Sequence, residues 1–499
     1  MTEIPLVVTS QDESELLSRF QAGRQLYNAL LHESMVRMNL ARHSDLFQQA
    51  RKLPQGKIRN DAFAAARKDA RYSEYDIQAY ATVRANAAQW IAQKVDANTQ
   101  QTLAKRAFQA SEKVMFGRAQ RVRFKVPSRF NSMEGKTNKQ GIRWVEGQLV
   151  WGKLRLNAII DPGHESIAHG LDSRIKYVRL IQKQLNGKRR WFAQLIGEGV
   201  PYQKPQNFVT AGVVGLDLNV SNVAYVADSP AGLLPFAEKV PTFEKEISAI
   251  QRQMQRSQRA NNPDPYEPDF EGRKGRKTVT KKGKVKKGKR QWNKSQRYLK
   301  LAAKKRELER RKAAYCKSQN RKLVNDILRN GNQIRTETVS VKGWQKRYGK
   351  AIAAKSPGYF QSELKRKAES ASGSFTKFST QKMALSQTHL SGERGKKSLS
   401  ERVHRDQTGV TMHRDLFSAF LARYVDENQL SLQDAVNQYP GMESFLLEAW
   451  QRYETNRKPV GIAESRKAHP PLERFSSDSE KANQIDAVGD DSTAGRKVS

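Results

Sequence analysis

The chain has 499 residues, 90 of them Lys or Arg against 50 Asp or Glu, giving a formal net charge of +40 at pH 7 with 37% apolar residues. Such an excess calls for a polyanion, and nucleic acid is the predicted partner, because each phosphate neutralised by Lys or Arg releases condensed counterions. One cysteine, Cys316, excludes an internal disulfide framework and a multi-cysteine metal site; no apolar run reaches the roughly 18 residues of a spanning helix, so no membrane partner is predicted. The start, Met1-Thr-Glu-Ile-Pro-Leu, shows no basic and apolar leader, and a cytoplasmic, nucleoid-associated protein of a prokaryotic cell is expected.

From Gln11 to about Gly117 apolar residues recur at spacings of three and four, as in Leu26, Tyr27, Leu30, Leu31 and Met35, which predicts an amphipathic helical bundle. Two of its helices are expected over Tyr75–Lys94 and Ala97–Phe116, with Asp96 and Asn98 as breaker and cap, and Tyr80, Val83, Ala87, Trp90 and Ile91 on one side. At Arg121 the period changes to two. Val122, Phe124 and Val126 alternate with Arg121, Arg123 and Lys125, predicting a half-buried strand whose basic face contacts phosphates. Ile175, Tyr177, Trp191, Ala193 and Leu195 continue the alternation, and Asn186-Gly187 predicts a type I′ hairpin because both central positions favour positive φ. Residues from Arg121 to about Glu198 therefore read as a β-rich module, a barrel.

Beyond Val213 two long charged helices are expected, one striped by Phe243, Ile247, Ile250 and Met254, the other by Tyr298, Leu301, Leu308 and Tyr315. Between them, Gly272 to Gln291 holds eleven Lys or Arg, four Gly and no acid, so it forms no core. It reads as a mobile loop that orders on RNA or DNA, with Arg273, Lys281, Lys286 and Arg290 as phosphate contacts. The last forty residues, rich in Ser, Asp, Lys and Gly, read as disordered.

Three acids stand in apolar surroundings. Asp217 lies inside the strand-like Val213-Val-Gly-Leu-Asp-Leu218, Glu337 in Ile334-Arg-Thr-Glu-Thr-Val339, and Asp415 in the first turn of the helix-like Met412-His-Arg-Asp-Leu-Phe-Ser-Ala-Phe-Leu421. A carboxylate on a buried strand is costly unless it is paired or binds a metal, and Mg²⁺ takes oxygen ligands. In this order and spacing the motifs Gly215-Leu-Asp217, Ile334-Arg-Thr-Glu337 with Val341-Lys-Gly343, and Arg414-Asp-Leu-Phe-Ser-Ala419 resemble the RuvC-type core of TnpB and the compact type V CRISPR effectors. Phe420 replaces the last alanine of the family's third motif. Arg24-Gln-Leu-Tyr-Asn-Ala29 is similar to the family's amino-terminal helix, and Arg121-Val-Arg-Phe-Lys125 with the Asn186-Gly187 hairpin resembles its wedge barrel.

The resemblance implies an α/β multidomain chain: an RNase H-like (RuvC) nuclease core, a β-barrel wedge domain and a helical recognition domain. It places the wedge at 1–12 and 118–205, the helical domain at 13–117, and the nuclease core at 206–380 and 410–458 with a basic insert at 261–291. A degenerate zinc finger that loads the target strand follows at 381–409 and a disordered tail at 459–499. The implied function is RNA-guided DNA endonuclease, with Asp217, Glu337 and Asp415 catalytic and holding two Mg²⁺, Asp217 bridging both. Guide RNA and double-stranded target DNA are the implied partners. A nuclease-dead guided binder and a non-catalytic RNA-binding protein are the competing readings. The family's finger carries four cysteines. Here His389 stands at the first cysteine position, Arg405 and Thr408 at the second pair, and the segment offers only His389, His404 and His413, so no zinc is predicted.

Overall fold

The structure of the protein is a computed structural model describing residues 1–275, 277–288, 291–398 and 401–457. It divides into two compact units, Met1–Trp450 and Gln451–Ser499. Of the second, residues 451–457 are described and are helical; the tail expected to be disordered lies outside the described residues.

Strand β1 (Thr2–Pro5) leads into α1 (Ser10–His43). Thr9 caps this helix by accepting from the Asp12 N–H, while the Asp12 carboxylate accepts from the Thr9 N–H. Around α1 pack α2 (Asp45–Lys52), α3 (Lys57–Asp69), α4 (Glu74–Ala87), α5 (Gln89–Lys94) and α6 (Ala97–Met115). Asp96 caps α6 through the Thr99 N–H. The stripe expected across residues 80–91 does not hold: Ile91 is buried, but Val83 is 65% and Trp90 41% exposed. The backbone breaks at Ala88 (φ −125°, ψ 78°), which turns α5 away from the line of α4.

Residues 121–126 run extended but join no strand, a correction to the expected half-buried strand; Phe124 and Val126 are about half exposed. Their backbone is held by side chains of α1, with Arg24 donating to the Lys125 carbonyl at 3.5 Å and Asn28 making the shorter pair. Asn28 on α1 donates to the Lys125 carbonyl at 2.9 Å and accepts from its N–H at 2.8 Å, substituting for a ladder. There follow β2 (Ser132–Glu134), β3 (Ile142–Val145), β4 (Gln148–Trp151), β5 (Leu154–Asn157), α7 (Glu165–Asp172), β6 (Arg174–Leu185) and β7 (Lys188–Glu198). Asn186 and Gly187 join the last two with φ of 51° and 76°, as a type I′ turn requires. Among the described residues the strands form two antiparallel sheets, ordered β1-β7-β6-β2 and β3-β4-β5, joined to each other by an antiparallel bridge at Leu6 and Ala158 and by contact of β3 with β6. Helices and sheets share a core. Phe20 of α1 meets Phe130 and Trp191 edge-on, and Gly23 lets α1 down onto Met133, whose Cε would lie 2.6 Å from an added Cβ.

The next layer begins with β8 (Val213–Leu218), β9 (Asn222–Val226) and β10 (Ala231–Pro235), an antiparallel run. Then α8 (Val240–Ala260) and α9 (Gln296–Leu328) pair antiparallel: Phe243 meets Tyr315 at one end, Ser257 meets Ser295 at the other, and Ile247, Ile250 and Leu308 are buried between. The tract expected to be a mobile loop is a hairpin over β11 (Phe270–Lys274) and β12 (Lys277–Lys281). It needs no apolar core, because groups flanking the acid-free run hold it: Asp269 accepts from Lys282, from the Gly283 N–H and from Arg259, whose guanidinium lies 4.1 Å over Tyr266.

After α9 come β13 (Gln333–Glu337), α10 (Val341–Lys355), α11 (Pro357–Ser370) and β14 (Ser374–Phe378). The sheet runs β10-β9-β8-β13-β14, with β13 parallel to both neighbours, a pairing that needs crossovers such as α9 and α11. Val214, Leu216, Ile327, Ile334 and Phe360 fill the layer between sheet and helices. The first unit closes with α12 (Thr380–Met383), β15 (Val403–Arg405), β16 (Thr411–His413), the buried α13 (Arg414–Ala422), β17 (Val425–Asp426), β18 (Gln429–Leu430) and the start of α14 (Leu432–Arg457).

Candidate active site: three carboxylates under one helix

Register brings two of the acids together. Thr336 of β13 lies opposite Leu216 of β8 in parallel pairing, and one residue further along come Glu337 and Asp217, at the carboxyl ends of adjacent strands. The third acid arrives on α13, which crosses β8 and β9. Residues two apart on a strand share a face, so Gly215 and Asp217 look the same way. At Gly215 a Cβ would sit 2.1 Å from the Ala419 carbonyl oxygen and 2.7 Å from the Arg423 amide nitrogen, both backbone atoms of the crossing segment. One helical turn before Ala419 stands Asp415, and its charge acts on Asp217. His413 caps α13 by accepting from the Asp415 N–H at 3.2 Å.

Burial, then the charges of Asp415 and Glu337, push the Asp217 carboxyl well above the usual carboxylate range, with Arg414 and Arg402 pulling the other way. Asp217 still keeps an edge in solvent. Burial raises Glu337 to about 7, opposed by the Thr380 hydroxyl. Asp415 is 1% exposed. Its Oδ1 lies 3.7 Å from Arg402 and 3.9 Å from Arg414, beyond hydrogen-bond length, and its Oδ2 is buried without a hydrogen-bond partner among the described residues.

Asp217, near enough to Asp415 and Glu337 to feel their charges, and the buried, unpartnered Oδ2 of Asp415 are oxygen donors of the kind that a hard divalent cation such as Mg²⁺ takes, so the residues fit the metal that the resemblance implies. Arg402, half exposed at the cluster, Arg414, Thr380 and Gly215 belong to the site and were not singled out by sequence. Gly215 and Arg414 carried a signal, their places in the Gly-x-Asp and Arg-Asp motifs; Arg402 and Thr380 carried none. The basic residues expected on nucleic acid lie elsewhere: Arg121, Arg123 and Lys125 on the 121–126 segment, with Lys125 partly buried, and Arg273, Lys281 and Lys286 exposed in the basic tract. Arg290 lies outside the described residues.

The raised acids set a pH dependence of stability. Glu337 titrates near 7 in the fold against an ordinary 4.5, so the metal-free fold binds the extra proton between these values. The stabilisation is full below about 4.5 and is lost as pH rises through about 7. Melting temperatures in chelator between about pH 5 and 8 should fall with pH, Glu337→Gln should flatten the decline, and Mg²⁺ should restore the wild type above pH 7. An unchanged slope in the variant would place the decline elsewhere.

Among the described residues no helix is long and apolar enough to cross a membrane. A scan against protein-family models finds no match, and a search of curated proteins finds none. Among the solved structures similar to this chain are two complexes. One, described as a Cas12f1–sgRNA–target DNA complex, has 9% identity over 82% of each chain and a TM-score of 0.45; the other, described as a CRISPR–Cas12f ternary complex, has 10% identity over 84% of this chain and 83% of that one, and a TM-score of 0.29. At these values the likeness assigns neither fold nor function, and the candidate site stands on its own residues.

Proposed function

We propose that the protein is an RNA-guided DNA endonuclease that cuts with Asp217, Glu337 and Asp415. The observation that carries the cutting is the crowding of two further acids, Asp415 and Glu337, around Asp217, a costly arrangement for an ion-free structural role. Two Mg²⁺ held by these acids would supply an activated water and charge stabilisation at the leaving oxygen. Asp217, which feels the charges of the other two, would hold the metal together with them. Glu337 must shed its proton to serve, and Arg402 offers a guanidinium to an incoming phosphate.

Guidance rests on the motif resemblance together with charge. A cleft of about 1290 Å³ between α1, the β6–β7 hairpin and α9 is lined by Arg24, Lys183, Arg189, Arg306, Arg310 and Lys317, with Glu3 as its acid. A surface of that sign and extent suits a nucleic-acid backbone. Sequencing the RNA that copurifies with the protein tests the reading: a discrete RNA with a variable end is expected, and the loaded protein should cut a matched duplex in Mg²⁺ and not in chelator. A discrete RNA without cutting would establish the nuclease-dead binder instead. RNA bound without any discrete species, and no cutting, would leave a non-catalytic RNA-binding protein.

A further inference from the structure

A second cluster lies in the segment between α12 and α13. His389, His404 and Asp406 each bring one ligand atom within 4.8 Å of those of the other two. The Asp406 Oδ2 is 3.5 Å from His404 Nε2 and 3.8 Å from His389 Nδ1. Ligand atoms about 2.0–2.1 Å from a tetrahedral ion stand about 3.3 Å apart, so the two His–Asp pairs need a few tenths of an ångström of contraction and the His389–His404 pair, within 4.8 Å, at most about 1.5 Å. All three residues are at least nine-tenths buried, and His389 Nδ1 has no hydrogen-bond partner among the described residues. A buried, unpartnered ring nitrogen facing a carboxylate oxygen points to a ligand.

The surroundings hold the donors in place. The Asp406 Oδ1 accepts from the Thr408 N–H at 2.7 Å and its hydroxyl at 2.6 Å, while Oδ2 accepts from the Leu390 N–H at 2.7 Å. The His404 ring stacks on Phe417 of α13, centroids 4.0 Å apart and 18° from parallel. Gly395 covers His389: a Cβ there would lie 3.0 Å from its Nε2. Such outer contacts fix ring and carboxylate orientation at metal sites. We propose that His389, His404 and Asp406 bind one divalent cation of the zinc class, apart from the three-carboxylate cluster, and that this ion ties His389 to the β15–β16 turn, which packs on α13 through His404 and Phe417. The prediction of no zinc counted thiolates and imidazoles; Asp406 was not counted, and His413 turns instead to the cap of α13 and to Trp450. Lys397 contests the site, since its ammonium contacts His404 Nδ1. With an ion on Nε2 the proton sits on Nδ1, and Lys397, half-buried, turns out to solvent.

Cobalt titration of the chelator-stripped full chain tests this without any nucleic acid or cutting, so its outcome is separate from that of the nuclease reading. One equivalent should bind with the visible bands of four- or five-coordinate Co²⁺, be displaced by Zn²⁺, and persist in Asp217→Asn. Binding should disappear in His389→Gln and Asp406→Asn, weaken about tenfold in Thr408→Val, and tighten in Lys397→Met. Thr408→Val leaves all three ligands in place and covers the case in which a ligand variant does not fold. No stoichiometric binding, or equal binding by the wild type, His389→Gln and Thr408→Val, would overturn the site.

Discussion

Asp217→Ala is expected to abolish guided cutting, by at least about 10³-fold, or about 4 kcal/mol of barrier, while the metal-free fold becomes no less stable. The two effects have one cause. Asp217 is buried among two further acids, and its carboxyl is pushed well upward by that burial and by their charges. Deleting it removes a desolvated charge and its repulsion of Asp415 and Glu337, so the melting temperature in chelator should hold or rise. The wild type should gain more from Mg²⁺ than the variant does, because a ligand that binds only the fold stabilises it by mass action. Guide RNA binding should be unchanged, since the basic cleft lies on other elements. An acid with a purely structural role would give the opposite pattern: lower melting in chelator and no difference in the response to Mg²⁺. Cutting that survives Asp217→Ala would remove the triad from the mechanism.

Gly215→Ala is expected to cost about 1–3 kcal/mol of stability and roughly 100-fold in cutting, although no catalytic atom is touched. The added Cβ would meet the Ala419 carbonyl oxygen at 2.1 Å and the Arg423 amide at 2.7 Å. These are backbone atoms, so no rotamer relieves the clash and α13 must lift from β8. Asp415 travels with it. Ala419→Gly cannot rescue the variant, because the contact is not with a side chain; a larger residue at 215 should be worse than alanine. Melting curves and single-turnover cutting measure the two effects, and full activity in Gly215→Ala would mean that α13 is not clamped as described.

Much of this was legible where a local rule decides the structure. Asn186-Gly187 demands positive φ at two positions and obtains it; Asp96 caps the helix it precedes. The acids could be read as strand and helix residues because their neighbours are apolar and short. What a sequence read by period cannot supply is the partner. Val122, Phe124 and Val126 alternate as a strand would, but the backbone there is held by Asn28 and Arg24, far back on α1, so no sheet forms; Phe124 and Val126 stay half exposed while Val122 packs against the core. The basic tract fails for a related reason. Composition measures whether a core can form, whereas β11 and β12 are held by Asp269 and the stacked Arg259, which lie just outside the acid-free run. The His389, His404 and Asp406 cluster escaped because its members are of mixed type and unequally spaced, and His389 reaches the other two only where the Leu390 N–H closes on the Asp406 carboxylate.

The crossing of α13 over Gly215 also orders events during synthesis. Chains leave the ribosome amino end first and fold as they emerge, so β8 and β13 can lie side by side, with Asp217 and Glu337 in place, before the residues of α13 exist outside the exit tunnel. A nascent chain therefore carries two of its three acids on adjacent strands and still lacks the helix that completes the set. On this ordering, the three-acid set is completed in a single late docking step, after α1, β6, β7 and α9, which line the basic cleft, have been made; on the proposed function, a half-built copy would bind nucleic acid before it could cut it.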